Sequence, residues 1–160
     1  MKINLKSIAF FILAAGLTLA SCNRDDDDDD TVTPGENVTV KGSLTNNTIW
    51  AAKNKYLLEG FVYVESGATL TIEPGTIIKG DKATKATLII KPGGKIIAEG
   101  TKTKPIVFTS NQARGSRNYG DWGGVIVLGK APVNKTPATI EGENISTFGG
   151  TDPTDNSGIL

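Results

Sequence analysis

Histidine is absent from the 160 residues, and there is one cysteine, Cys22. No intramolecular disulfide can form, no His or Cys zinc site can be assembled, and a mechanism built on a histidine base has no residue to run on. Charge of one sign is missing too, since 17 Lys and Arg balance 17 Asp and Glu. Residues 31–160 taken alone carry +3, far from the dense basic patch a nucleic-acid surface needs, so no nucleic-acid partner is expected. Beyond residue 20 no apolar run approaches the roughly 20 residues of a bilayer-spanning helix. What is abundant is glycine, with 19 residues, and Thr, Ile and Val, with 44 between them. That is the composition of strands and turns.

The first thirty residues differ from the rest. Lys2 and Lys6 precede a largely apolar stretch from Ile8 to Ala20, the charged and apolar regions of a secretory signal and too short for a membrane span. Leu19-Ala20-Ser21-Cys22 follows and resembles the bacterial lipobox, in which the cysteine is acylated and becomes the new N-terminus. Each buried methylene of an attached lipid contributes about 0.8 kcal/mol, and two or more chains hold stably. Residues 1–21 are therefore expected to be a signal peptide, with Cys22 as the lipidation site. Asp25, Asp26, Asp27, Asp28, Asp29 and Asp30 are consecutive, and their mutual repulsion keeps residues 22–37 extended as a solvated linker. A calcium site is the weaker reading, because carboxylates in a run lack the turn that converges oxygens on one ion.

From Val38 to Leu160 short aliphatic runs are cut by Gly or Pro-Gly, and the segments resemble one another. Residues 64–70 read VESGATL, 72–78 read IEPGTII and 90–96 read IKPGGKI. Val62, Val64 and Gly67 return 26 positions later as Leu88, Ile90 and Gly93, which points to a repeated turn of about 26 residues. Leu70 and Ile72 alternate with Thr69 and Thr71, the period of a half-buried strand. Gly67, Gly75 and Gly93 stand where the chain must corner with positive φ. A β-sandwich or barrel favours Asn-Gly or Asp-Gly hairpins, and neither dipeptide occurs. The expected fold is all-β, a parallel β-helix with Leu70, Ile72, Leu88, Ile90, Ile96, Ala98, Ile106 and Phe108 in its core.

Tyr56–Gly80, Thr87–Ser110 and Gly120–Gly129, with GTKTKPIVFTSN from Gly100 and DWGGVIVLGKAPVN from Asp121, resemble Bacteroidetes surface lipoproteins with pectin-lyase-like right-handed β-helix domains. The acidic tract after the cysteine is similar to the export signal of those proteins. The resemblance implies a lipid-anchored protein of the outer membrane, exposed at the cell surface. It also implies a longer chain: no solenoid cap is visible near Ser157-Gly158-Ile159-Leu160, so the β-helix is expected to be truncated at its C-terminus.

Asn111–Tyr119 breaks the repeat with a polar, basic loop leading into Asp121 and Trp122. Loops on a rigid solenoid are where binding concentrates. Arg114, Arg117, Tyr119, Asp121 and Trp122 would suit a polysaccharide or cell-surface glycan, unless Trp122 packs over the core and the arginines are merely solvated. Asp152, Asp155 and Asn156 offer oxygens for calcium, but their spacing fits a polar turn better than an EF-hand loop, and no other cofactor is expected. Glu65, Glu73, Asp81 and Glu99 are scattered, and nothing pairs two carboxylates across a cleft as hydrolysis requires. The expected role is non-enzymatic: structural, adhesive or glycan-contacting. The alternative is a polysaccharide lyase or hydrolase whose catalytic rungs lie beyond residue 160.

Overall fold

The computed structural model describes residues 35–135, 138–141 and 146–160. Their regular elements are strands: β1 (Asn37–Leu44), β2 (Thr48–Trp50), β3 (Lys55–Val64), β4 (Thr69–Ile72), β5 (Ile77–Gly80), β6 (Thr87–Ile90), β7 (Lys95–Ile97), β8 (Val107–Ser110), β9 (Gly124–Val127), β10 (Ala138–Thr139), β11 (Thr147–Phe148) and β12 (Gly158–Ile159). The expected signal peptide, Cys22 and the acidic run Asp25–Asp30 lie outside the described residues.

Three parallel ladders form the faces of a coil. Face 1 stacks residues 37–40, 55–58, β5 and β8. Face 2 stacks residues 42–44, 61–64, β6 and β9. Face 3 stacks β2, β4, β7 and β12. The chain visits the faces in the same order on each of four laps, which is a parallel β-helix. One short antiparallel pair, β10 with β11, interrupts the fourth lap between β9 and β12.

The corners explain the self-similar segments. Ala68 N–H donates to the Glu65 carbonyl (3.0 Å), Thr76 N–H to Glu73 (3.2 Å) and Gly94 N–H to Lys91 (2.8 Å). Each closes a four-residue turn with Ser66, Pro74 or Pro92 second and a glycine third, at φ 85° for Gly67, 93° for Gly75 and 85° for Gly93. Proline presets the second position of a type II turn, and the third demands positive φ. VESGATL and IKPGGKI turn the same corner one lap apart, with Gly67 N–H bonded to the Gly93 carbonyl at 2.8 Å. IEPGTII uses the same chemistry at the next corner, from face 3 to face 1.

Inward side chains line up in files. Val62 pairs with Leu88 and Leu88 with Val125; Val64 pairs with Ile90; Leu70 pairs with Ile96. Leu58, Val62, Val64, Leu70, Ile78, Leu88 and Ile90 are fully buried, each contributing about 1.5–3 kcal/mol. Six of the expected core residues are buried; Ile106 and Phe108 are half-buried against the same core, because among the described residues the fourth lap has a neighbouring lap on one side.

The 26-residue period needs correction. It holds from the second lap to the third on faces 2 and 3, where Phe61 meets Thr87 and Thr69 meets Lys95. Elsewhere Asn37 meets Lys55, Ile77 meets Val107, Thr87 meets Gly124 and Ile96 meets Gly158. The strands keep register while the corners take up ever longer insertions.

Candidate functional site

The corner between faces 1 and 2 grows lap by lap. It is a bulge at Gly42 in the first lap, a bend at Glu59-Gly60 in the second, residues 81–86 in the third and residues 111–123 in the fourth. The basic loop singled out by sequence therefore sits directly on the third-lap corner. Asn111 donates through Nδ2 to Asp81 Oδ1 (2.6 Å) and accepts the Lys82 N–H (3.1 Å), while Lys85 Nζ donates to the Gly120 carbonyl (2.7 Å). Hydrogen bonds from the side chain and N–H of Thr84, joined by Asn111, hold the Asp81 carboxyl below the usual carboxylate range.

Asp121 is the anchor of this loop. It is 2% exposed and accepts from the Asn118 N–H (3.0 Å), Ser110 Oγ (2.7 Å) and Lys82 Nζ (2.9 Å). The Asn118 N–H, then Lys82 and Ser110, pull its pKa down to about 2, as expected of a carboxylate accepting several donors. Trp122 turns inward. A Cβ on Gly80 would lie 2.4 Å from its indole ring, so the ring fills the place in the inward file that glycine leaves empty between Leu58 and Ser110. Arg117 braces the loop, donating from Nε to the Gln112 carbonyl (3.0 Å) and from a terminal nitrogen to Thr109 Oγ1 (3.2 Å). Arg114 and Tyr119 face solvent, and Tyr119 is 95% exposed.

The five loop residues thus divide by role: Asp121, Trp122 and Arg117 hold the loop, and Arg114 and Tyr119 are displayed by it. Beside them lies a cleft of about 370 Å³ with Phe61, Ile126 and Trp122 as apolar walls and Lys85 and Glu141 as charged ones. Lys85 adopts φ 51°, the non-glycine positive φ among the described residues, an uncommon conformation often found at working sites. With one ammonium proton on Gly120, it keeps two donors for a ligand. Sequence reasoning missed Phe61, Lys82, Lys85 and Glu141. The step from Asp81 to Asn111 is 30 positions, not 26, so a fixed period hides the stacking of the two corners.

Glu65, Glu73, Asp152 and Asp155 serve local structure. Glu65 accepts from Ser43 Oγ (2.7 Å) and pairs with Lys91 (3.1 Å); burial pushes its pKa up, but those two partners outweigh it and the net shift is downward. Glu73 accepts the Ala52 N–H at 2.8 Å. Asp152 Oδ1 accepts from the N–H and hydroxyl of Thr154, Asp155 Oδ2 from the Lys130 N–H and Ser157 Oγ, and Asn156 Oδ1 from the Gly158 N–H. Those are the bonds of a polar turn, and among the described residues no group of three or more His, Cys, Asp or Glu is placed to hold a metal. No helix among them is long and apolar enough to cross a membrane.

No curated protein and no solved structure matches the chain. Residues 42–160 match the pectate-lyase-like β-helix domain, a span that takes in the three ladders except for residues 37–40 of face 1, together with the loop at their corner. By its repeat, its stacked parallel faces and this match, the chain belongs to the pectate-lyase-like β-helix family.

Proposed function

We propose that the protein is a lipid-anchored cell-surface β-helix that contacts a polysaccharide or surface glycan through its fourth-lap corner loop, without turnover. The observation that carries the glycan reading is Tyr119, 95% exposed on a loop pinned by the buried Asp121 carboxylate. It stands on a loop beside a cleft with aromatic walls and charged edges, where its ring offers a flat apolar face and a polar hydroxyl to a sugar. The anchor reading rests on Leu19-Ala20-Ser21-Cys22 and the acidic run Asp25–Asp30, which would place the protein at the outer membrane. Calcium has no role in this reading. Its non-enzymatic side is supported by the spending of Glu65, Glu73 and Asp81 on structural bonds.

The test is retention of the full mature chain on a panel of immobilised acidic and neutral polysaccharides. Tyr119→Ala should weaken retention about tenfold, about 1.4 kcal/mol, with no release of reducing ends or unsaturated uronates. Turnover abolished by a chelator would replace this reading with a lyase, the activity the family's description suggests. Cys22→Ala should move the protein from the membrane to the soluble fraction; a variant that still pellets would place the anchor elsewhere.

A further inference from the structure

The cleft beside the corner loop is cut by a step in one outward file of face 2. Phe61, Thr87 and Gly124 follow one another there from lap to lap. Phe61 is 42% exposed, whereas Gly124 puts no side chain on the wall, and a Cβ added to it would meet nothing within 4 Å. The surface therefore falls away from the aromatic ring into a hollow of about 370 Å³, with Ile126 as a second apolar contact. A space of that size is at the small end of ligand clefts and suits one or two sugar units of a chain.

Two charged side chains line the hollow, and they are of opposite sign, Lys85 and Glu141. They do not neutralise each other: among the described residues the ion pairs join Lys82 to Asp121 and Lys91 to Glu65. Lys85 Nζ is held at the loop by the Gly120 carbonyl (2.7 Å), which leaves two of its three donors open. Glu141 is exposed and offers both carboxylate oxygens as acceptors.

Resting on the glycan reading above, we infer that this cleft selects an uncharged sugar over a uronate or a sulfate ester. An anionic group entering the hollow gains at Lys85 but is repelled at Glu141, and it still gives up its hydration. A neutral sugar meets no such conflict. Each of its hydroxyls can both donate and accept, so it accepts from the Lys85 ammonium on one side and donates to the Glu141 carboxylate on the other. Hydrogen bonds to charged groups are the stronger kind. The apolar C–H face of the same ring packs on Phe61. The selection runs against pectate, the polyanion in the description of the family.

The experiment compares retention on polymers matched in backbone and differing in charge, at physiological salt. Dextran is set against dextran sulfate and methyl-esterified pectin against pectate, with neutral galactan, mannan and xylan beside them. The protein is the mature chain carrying Cys22→Ala, so that lipid does not drive retention. It should be held by at least one neutral polymer about tenfold more tightly than by any charged one. Phe61→Ala should weaken that retention about tenfold. Glu141→Lys, which leaves two cations in the hollow, should reverse the preference within each matched pair. Both positions are exposed, and far-UV circular dichroism reports that the strands persist in the variants. A parent that prefers the charged member of a pair overturns the inference and leaves the glycan reading standing. Neutral retention that Tyr119→Ala weakens but neither Phe61→Ala nor Glu141→Lys alters also overturns it, because the contact is then the loop alone. Retention on no polymer overturns this inference and the glycan reading together.

Discussion

The indole of Trp122 occupies the space that a side chain at Gly80 would fill, within 2.4 Å of where its Cβ would stand. The two residues are 42 positions apart, yet the inward file between Leu58 and Ser110 is continuous only because the ring completes it. The loop is therefore tied to the solenoid by a plug as well as by hydrogen bonds.

Removing the plug and filling its socket should be coupled. Trp122→Ala should cost about 3 kcal/mol, the low end for a large aromatic because the ring is half-buried. Gly80→Ala should cost about 1–3 kcal/mol by forcing the ring out. In the double variant the alanine methyl meets no indole, so the combined loss should fall about 1 kcal/mol or more short of the sum. Urea melts of the four proteins measure this, and strict additivity would mean that ring and glycine do not share the space.

The loop should have an acid limit set by Asp121. Its folded pKa of about 2 lies below the ordinary 3.8, so its ionised form favours the folded loop. That stabilisation is fully present above about pH 4 and is lost as the pH falls toward 2. Carboxyl carbon shifts in NMR should titrate Asp121 near 2, and amides of residues 112–120 should lose protection over the same window. Asp121→Asn should reduce the pH dependence in this window to what Asp81, bonded to Asn111 and also lowered, contributes, and leave the loop less protected at neutral pH. A titration near the ordinary carboxylate value would show that Ser110, Asn118 and Lys82 do not hold the ionised form.

The lap-to-lap ion pair is a weaker staple. Lys91 and Glu65 are 28% and 27% exposed on their side chains, and Lys91 Nζ also lies 4.4 Å from the centre of the Tyr63 ring. Partly exposed pairs contribute about 0–1 kcal/mol. Lys91→Met should therefore lower stability by about 1 kcal/mol or less in low salt, and the difference should shrink as salt screens the pair. A loss independent of salt would assign the effect to packing on Tyr63.

The strands were legible in the sequence because their signals are local. Leu70 and Ile72 alternate with threonines, and Val62 and Val64 recur as Leu88 and Ile90, so period and burial agree residue by residue. Glycines at the corners carried the turn geometry on their own. The site was only half legible. Arg114, Arg117, Tyr119, Asp121 and Trp122 announced a loop by composition, but which of them points outward depends on Gly80, Lys82 and Lys85 in the lap beneath. Those partners are separated by laps of unequal length, and no fixed spacing brings them together. Glu141 enters from an insertion whose path sequence periodicity does not describe.

The corner glycines provide the sharpest quantitative comparison, because Gly67 and Gly93 share a φ of 85° and a place in the fold but differ in surroundings. Replacing either with alanine forces an L side chain into left-handed backbone, at about 1–2 kcal/mol. At Gly67 nothing lies within 4 Å of the new Cβ, so that should be the whole cost. At Gly93 the Cβ would meet Ser66 Oγ at 2.5 Å and Lys130 Nζ at 2.8 Å. Lys130 can swing away, but Ser66 belongs to the stacked turn of the previous lap, where the Gly67 N–H is bonded to the Gly93 carbonyl. Gly93→Ala should then exceed Gly67→Ala by about 1 kcal/mol, the size of an overpacking strain. Adding Ser66→Ala to Gly93→Ala should recover most of that excess and leave the backbone cost behind. Equal losses at the two glycines in denaturant melts would mean that the corners are not in contact from lap to lap.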